Sequence, residues 1–198
     1  MSLTNDQIRQ YEQEGYVFPV DVLTASEVAA CRDSLEAAEA KNGGKLPPAY
    51  RAKSHLLFKW LDDVIRDERV LSPIKQLIGP NILCWNTIFW IKDAGSESFV
   101  SWHQDNTYWG LSSDKVITAW LALSPAQTEN GCMRVMPGTH RGESLTHEDR
   151  YHTDNMLTRG QEITRGVDDA HAVHMPLMPG QMSIHNYRLA HASGPNSG

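Results

Sequence analysis

Short β-rich runs separated by turn residues fill the chain from residue 81 to residue 198 and constrain its fold most strongly. Runs of this length that are rich in Val, Ile and aromatic residues predict strands. The predicted strands cover residues 82–92, 99–103, 115–123, 132–136, 173–177 and 181–187. Because many short strands must bury apolar faces against one another, this part predicts a double-sheet β-barrel with the N-terminal helices packed on its outside.

Two of these segments carry a further expectation. Residues 115–123 are rich in apolar residues, which predicts a central position in a sheet. Residues 147–164 are polar, irregular and too long for a simple hairpin loop, which predicts a lid or a mobile loop.

The first 80 residues have helical patterns instead. Thr4 with Gln7, and Thr24 with Glu27, have the spacing of capping boxes and predict two helix starts. The first helix is predicted to end at Glu14, before a short strand at 16–18, and the second at the glycines after Asn42.

Two more helices are predicted before residue 80. Apolar residues at helical spacing predict one continuous helix over 54–67. Ser72 and Pro73 then read as an N-cap followed by proline at the first helical position, which predicts a short helix ending at Gly79. We therefore expect one domain over 1–198, mainly β, with helices at 1–80 and a β core at 81–198.

Composition limits the classes of partner. The formal net charge is −6, which gives no general basic field for nucleic acid or acidic membranes. The three cysteines lack the spacing of a zinc site or a disulfide framework, and no apolar run has the length of a membrane span. We expect a soluble cytoplasmic protein with a small-molecule substrate and no nucleic acid or membrane partner.

Two histidines and one aspartate form a candidate metal site. His103 and Asp105 are two residues apart at the end of a predicted strand, where side chains two apart share a face. His191, 86 residues further on (191 − 105), could be brought alongside them by a barrel. Two imidazoles and a carboxylate leave open positions that suit non-haem Fe(II). The alternative is an ordinary hydrogen-bonded pair of His103 and Asp105.

Four segments, in order along the chain, resemble motifs of the phytanoyl-CoA dioxygenase family. They are VSWHQDNTYWG (100–110), TAWLAL (118–123), ENGCMRVMPGTH (129–140) and HASGPN (191–196). The resemblance implies a double-stranded β-helix, the jelly-roll or cupin-like fold. It also implies an oxygenase that uses Fe(II), O₂ and the cosubstrate 2-oxoglutarate.

The resemblance assigns roles to five residues. It makes His103, Asp105 and His191 the iron ligands and catalytic residues. It places Trp120 in the wall of the 2-oxoglutarate pocket, although core packing explains Trp120 equally well. Ser193 lies two residues beyond His191, on the same face of a regular strand, and could bind a cosubstrate carboxylate. Related halogenases lack the carboxylate that Asp105 supplies, so its presence favours hydroxylation.

The chain departs from the family pattern near its end. Family members bind the far carboxylate of 2-oxoglutarate through an arginine about ten residues after the distal histidine. Gly198 is only seven residues after His191 (198 − 191), so the C-terminal strand with this arginine is expected to be missing. Two explanations stay open: a truncated chain, or an altered cosubstrate site to which Arg134 or Arg141 could contribute only if their loop folds inward.

Three functions are compatible with these sequence features. The first is an Fe(II)- and 2-oxoglutarate-dependent dioxygenase that hydroxylates a small organic or lipid-derived molecule. The second is a catalytically impaired or non-catalytic jelly roll that binds a metal or a ligand. The third is a metal-dependent hydrolase, which needs only a Lewis-acid ion and an activated water. The sequence predicts neither the substrate nor the oligomeric state.

Overall fold

Helices fill most of the first 80 residues of the computed structural model, which describes residues 2–198. The helices are α1 (Asn5–Glu14), α2 (Ala25–Lys41), α3 (Pro48–Arg51), α4 (Lys59–Ile65), α5 (Glu68–Ile78) and α6 (Asn106–Trp109). Short 3₁₀ turns cover Ser54–Leu56, Thr128–Asn130, Thr139–Arg141 and Asp169–His171. Both predicted capping boxes are present, at Thr4 and at Thr24, so the first two helix starts are confirmed.

The strands form two larger antiparallel sheets and one hairpin. They are β1 (Tyr16–Asp21), β2 (Val100–His103), β3 (Ile117–Leu121), β4 (Met133–Val135), β5 (His147–Asp149), β6 (Gln161–Ile163), β7 (Val173–His174), β8 (Gln181–Asn186) and β9 (His191–Ser193). The first sheet has the order β1-β8-β3, the second β2-β9-β4-β7, and β5 pairs with β6. The predicted mainly β architecture with N-terminal helices is confirmed.

The predicted long strand over 82–92 is wrong. This segment makes one isolated β-bridge, between Ile88 and Ala52. Next to the bridge, the Lys53 amide donates a hydrogen bond to the Thr87 carbonyl, and the Phe89 amide donates one to the Arg51 carbonyl. A strand needs a neighbouring strand for its hydrogen-bond ladder, and the described residues 2–198 offer this segment only a loop. Its β-forming residues therefore do not produce a strand.

The two later helix predictions need correction. The helix predicted over 54–67 is broken at Phe58, whose backbone is extended (φ −114°, ψ 110°), so only Lys59–Ile65 is α-helical. The next helix begins earlier than Ser72, because the Asp67 side chain accepts a hydrogen bond from the Arg69 backbone and caps it. Pro73 consequently lies inside α5 rather than at its first position.

Two expectations about the β region are also corrected. The apolar segment around β3 lies at the edge of its sheet, because β8 stands between β1 and β3. The segment 147–164, predicted to be an irregular lid, begins and ends with paired strands, His147–Asp149 against Gln161–Ile163. Its polar residues are typical of an exposed hairpin. Each strand has only three residues, so the alternation of polar and apolar residues is too short to reveal a strand in the sequence.

The sheet β1-β8-β3 separates two environments. One face carries Val17 and Ile184, which are fully buried and cluster with Val70 and Ile74 of α5. Residues opposite one another in an antiparallel pair share a face. The other face therefore combines Tyr16, Ser183, His185, Thr118 and Trp120, because His185 lies opposite both Tyr16 and Thr118, and Ser183 lies opposite Trp120. This second face is where the functional residues lie.

None of the helices within residues 2–198 is both long enough and apolar enough to span a membrane.

Candidate metal centre

Three side chains converge where the two larger sheets meet. His103 ends β2 and His191 begins β9, and these two residues are direct partners in the antiparallel pairing of the strands. Asp105 follows β2 by two residues. One ligand atom from each of the three side chains lies within 4.8 Å of the other two, so the group can hold a metal ion.

Asp105 reaches this point by a different route from the one predicted. It does not share a strand with His103, because β2 ends at His103 and Asp105 has helical backbone angles (φ −59°, ψ −32°) at the start of α6. The turn brings its carboxylate back over the strand end. The separation of two residues is right, but a turn rather than the alternation of a strand brings the side chains together.

Both imidazoles are oriented by the backbone. The Nδ1 atom of His103 lies 2.9 Å from the carbonyl oxygen of Ser101, and the Nδ1 atom of His191 lies 2.9 Å from that of Leu189. A carbonyl oxygen only accepts hydrogen bonds, so we assign the proton to Nδ1 in each ring. The unprotonated Nε2 atoms then face Asp105 and are free to bind a metal.

The distances between donor atoms fit one ion. The Asp105 Oδ1 atom lies 3.6 Å from His103 Nε2 and 3.9 Å from His191 Nε2. Two donor atoms that are each about 2.1 Å from a shared ion are at most about 4.2 Å apart. The donor set, two neutral imidazoles and one carboxylate, has the composition of the facial triad of non-haem Fe(II) oxygenases. These residues therefore fit a bound Fe(II).

The second oxygen of the Asp105 carboxylate is held from the other sheet. The Thr118 hydroxyl of β3 donates a hydrogen bond to Asp105 Oδ2 at 3.0 Å. Burial alone would raise the pKa of Asp105, but its position beside the imidazoles of His103, His191 and His185 lowers it below its ordinary value. The carboxylate is therefore charged and ready to bind a cation.

A polar wall, which we define as Ser183 and His185 of β8, adjoins the centre. His185 Nε2 lies 4.0 Å from Asp105 Oδ2, and the His185 and His191 ring centroids are 4.6 Å apart. Burial lowers the pKa of His185 to about 4, so this imidazole is neutral at pH 7. Both ring nitrogens of His185 and the Ser183 hydroxyl are buried without a hydrogen-bond partner.

The two residues expected at the cosubstrate lie in different surroundings. Trp120 is on the same face of β3 as Thr118, opposite Ser183, and its partly buried ring packs against the cluster around Ala122 and Leu177. Ser193 follows His191 on β9, and its hydroxyl accepts a hydrogen bond from the Lys92 ammonium at 2.7 Å.

Sequence reasoning placed some of these contacts and missed others. His185 lies on a strand face beside the candidate ligands, 4.0 Å from Asp105. Thr118, Ser183 and Lys92 were missed, although the alternation of Thr118 with Trp120 was a usable signal. Arg134 does not turn inward, because its guanidinium carbon lies 5.2 Å from the centroid of the Trp102 ring and near Asp169.

Comparison with known proteins decides the family. The sequence profile of the phytanoyl-CoA dioxygenase (PhyH) family matches residues 11–198. The chain belongs to this family. It is an Fe(II)- and 2-oxoglutarate-dependent dioxygenase, as the resemblance of its four motifs predicted. The metal, the cosubstrate and O₂ are those of the family.

Alignments with individual relatives extend over nearly all of this chain. A probable alpha-ketoglutarate-dependent hypophosphite dioxygenase of Stutzerimonas stutzeri is 26% identical over 96% of this chain and 73% of its own length. The solved apo structure of the non-heme monooxygenase ThoJ is 36% identical, with a TM-score of 0.81, over 96% of this chain and 72% of its own. The carbocyclase SnoK, at 22% identity and a TM-score of 0.77, covers 99% and 80% and shows likeness of fold alone.

Proposed function

We propose that His103, Asp105 and His191 bind the Fe(II) ion of this dioxygenase and that Trp120 and Ser193 contact the 2-oxoglutarate. The observation that carries the proposal is the convergence of two Nε2 atoms and one carboxylate, with both imidazoles oriented by backbone carbonyls. Bound iron and 2-oxoglutarate together activate O₂ for insertion into a C–H bond.

Each residue has a separate task in this proposal. His103 and His191 supply neutral nitrogen donors from one sheet. Asp105 supplies the negative charge, and the Thr118 hydrogen bond fixes which of its oxygens faces the ion. The burial of His103 and His191, together with the partial burial of Asp105, limits the access of bulk water to the centre. Because the triad includes a carboxylate, it leaves three octahedral positions for cosubstrate and O₂, which favours hydroxylation over halogenation.

For the fold, we propose a jelly roll that forms one catalytic domain over residues 1–198. Support comes from the alternation of successive strands between the two sheets: β2 and β4 lie in one, and β3 between them lies in the other. For the substrate, we propose a small organic or lipid-derived molecule. The relatives named for their substrates, phytanoyl-CoA dioxygenase and ectoine dioxygenase, support this size class.

An anaerobic titration tests the function. Fe(II) and then 2-oxoglutarate are added to the purified chain while the weak visible charge-transfer band of the ferrous chelate is recorded. We expect a saturable band in the wild type, and no band and no tight iron binding in His103→Ala, Asp105→Ala or His191→Ala. The matched control is His171→Ala, which removes an exposed histidine that contacts Asp168 and should leave the band unchanged.

Two results would contradict the proposal. Iron affinity that survives any one of the three replacements would show that the triad is misassigned. Turnover of an ester or amide with Zn²⁺ and without 2-oxoglutarate would favour the hydrolase instead.

A further inference from the structure

His147, at the start of β5, has the same local geometry as the two histidines of the candidate metal centre. In all three imidazoles, Nδ1 lies 2.8 or 2.9 Å from the carbonyl oxygen of the residue two positions earlier. For His147 this carbonyl belongs to Leu145. A carbonyl oxygen only accepts hydrogen bonds, so we assign the proton to Nδ1 here as well. The Nε2 atom of His147 is therefore an acceptor.

This acceptor is used on the backbone between two of the proposed ligands. His147 Nε2 accepts a hydrogen bond from the Gln104 amide at 3.0 Å. Gln104 lies between His103 and Asp105, and its amide nitrogen is bonded directly to the carbonyl carbon of His103. Because β2 ends at His103, a side chain 43 residues away supplies the partner of this amide instead of a strand.

The Gln104 side chain, which is fully buried, holds the same residue from two further directions. Its Oε1 atom accepts a hydrogen bond from the Leu145 amide at 2.7 Å, and its Nε2 atom donates one to the Arg188 carbonyl at 2.5 Å. Arg188 lies in the turn between β8 and β9, three residues before His191. Gln104 thus connects the first ligand segment to the turn before the last ligand and to the segment that carries His147.

The backbone at this point needs such support. Asp105 has helical backbone angles immediately after the extended strand, so the distance between the donor atoms of His103 and Asp105 depends on a turn. A rotation of the peptide between them would move the carboxylate away from the imidazole. A hydrogen bond to the amide within this turn restrains that rotation.

We propose that His147 is a positioning residue of the metal centre. Through the Gln104 amide, it holds His103 and Asp105 at the separation that one ion requires. The inference rests on the proposed iron ligands and adds a residue that acts on them through the backbone, without contacting the ion.

A purely structural role is the competing explanation. His147 lies opposite Ile163 in the pairing of β5 with β6, so its imidazole also belongs to the exposed hairpin. If the imidazole served only to fasten this hairpin, its loss would lower folding stability and leave the iron affinity of the folded protein unchanged. The experiment must therefore measure both quantities.

The test combines anaerobic calorimetry with Fe(II) and urea unfolding of the metal-free chain. His147→Phe retains a ring and removes the acceptor, so iron affinity should fall about 10-fold, the lower end of the usual effect of residues behind metal ligands. His147→Gln carries an amide oxygen that can accept the same hydrogen bond, and it should retain most of the wild-type affinity. His147→Ala, which adds no bulk, should show the same 10-fold loss even if His147→Phe folds poorly.

The matched control is His140→Phe. His140 is also half-buried, and its Nε2 atom lies 3.3 Å from a backbone carbonyl, that of Glu12 in α1. This contact does not involve the ligand segments. We expect His140→Phe to lower the urea midpoint and to leave iron affinity unchanged.

Three results would overturn the proposal. They are an unchanged iron affinity in the folded His147→Phe and His147→Ala variants, an equal loss in His147→Gln, and an equal loss in His140→Phe. Absence of iron binding in the wild type would instead refute the proposed metal centre itself, and the positioning role with it.

Discussion

The two faces of β8 are both buried, but one is apolar and the other is polar. Met182 and Ile184 point toward the helices and are buried in an apolar cluster. Ser183 and His185, which alternate with them, are equally buried but have three polar atoms without a hydrogen-bond partner. Burying an unpaired polar atom costs about 1–3 kcal/mol. One face of the strand therefore stabilises the fold, while the other costs stability and places polar atoms beside the candidate metal centre.

The largest effect on folding is expected on the helix face. Ile184→Ala should lower the free energy of unfolding by about 2–5 kcal/mol, because it leaves a cavity among fully buried side chains. Iron affinity of the folded fraction should change little, since Ile184 points away from the ligands. Urea unfolding and iron titration measure the two quantities. A loss of iron affinity larger than tenfold would show that the faces are not independent.

A comparable effect, on metal affinity instead of folding, is expected at Thr118. Thr118→Val retains the shape of the side chain and removes the donor that orients Asp105. Iron affinity should fall about 10–100-fold, the usual consequence of losing a hydrogen bond to a metal ligand. Thr107→Val is the control, because Thr107 donates only to the backbone carbonyl of Gln104. An unchanged iron affinity in Thr118→Val would remove this residue from the site.

A smaller effect of opposite sign is expected in the polar wall. His185→Phe replaces an unpaired imidazole with an apolar ring, so the metal-free protein should become more stable by about 1 kcal/mol. The urea midpoint of the metal-free protein measures this change. Destabilisation by a similar amount would show that the imidazole has a partner in the folded chain and that the contrast between the faces is wrong.

The smallest effect concerns the cluster of Arg69, Glu27 and Asp67, in which each charged side chain has a partner of opposite charge. Arg69 hydrogen-bonds both Glu27 and Asp67, and the hydrogen bond from Arg69 contributes most to lowering the pKa of Glu27 to about 2. A carboxylate with a lowered pKa stabilises the fold above its ordinary pKa of 4.5 and loses this contribution as the pH falls toward 2. Glu27→Gln should therefore lower the melting temperature at pH 7 but not near pH 2.

The control for this pH dependence compares the double variant Arg69→Leu/Glu27→Gln with Arg69→Leu alone. The two should have almost the same melting temperature at either pH. A difference between Glu27→Gln and the wild type that is independent of pH would show that the cluster acts through packing.

Local signals accounted for what the sequence predicted well. The capping boxes at Thr4 and Thr24 need only residues three apart, and the family motifs contain the three side chains that converge at the candidate metal centre. The failures involve long-range pairing. Nothing within residues 82–92 shows that they lack a strand neighbour, and nothing near residue 117 shows that β8 takes the central position. The contact of Lys92 with Ser193 joins residues 101 positions apart, which no local pattern reports.

The hydrogen bond from Thr118 to Asp105 has a mechanical consequence. His103 and His191 come from one sheet, whereas Asp105 is tied to a strand of the other. The affinity for an ion bound by all three side chains therefore depends on the distance between the two sheets. A substitution that displaces one sheet relative to the other, even far from the site, will therefore change the metal affinity. Removal of the ion by a chelator will in turn weaken the contact between the two sheets.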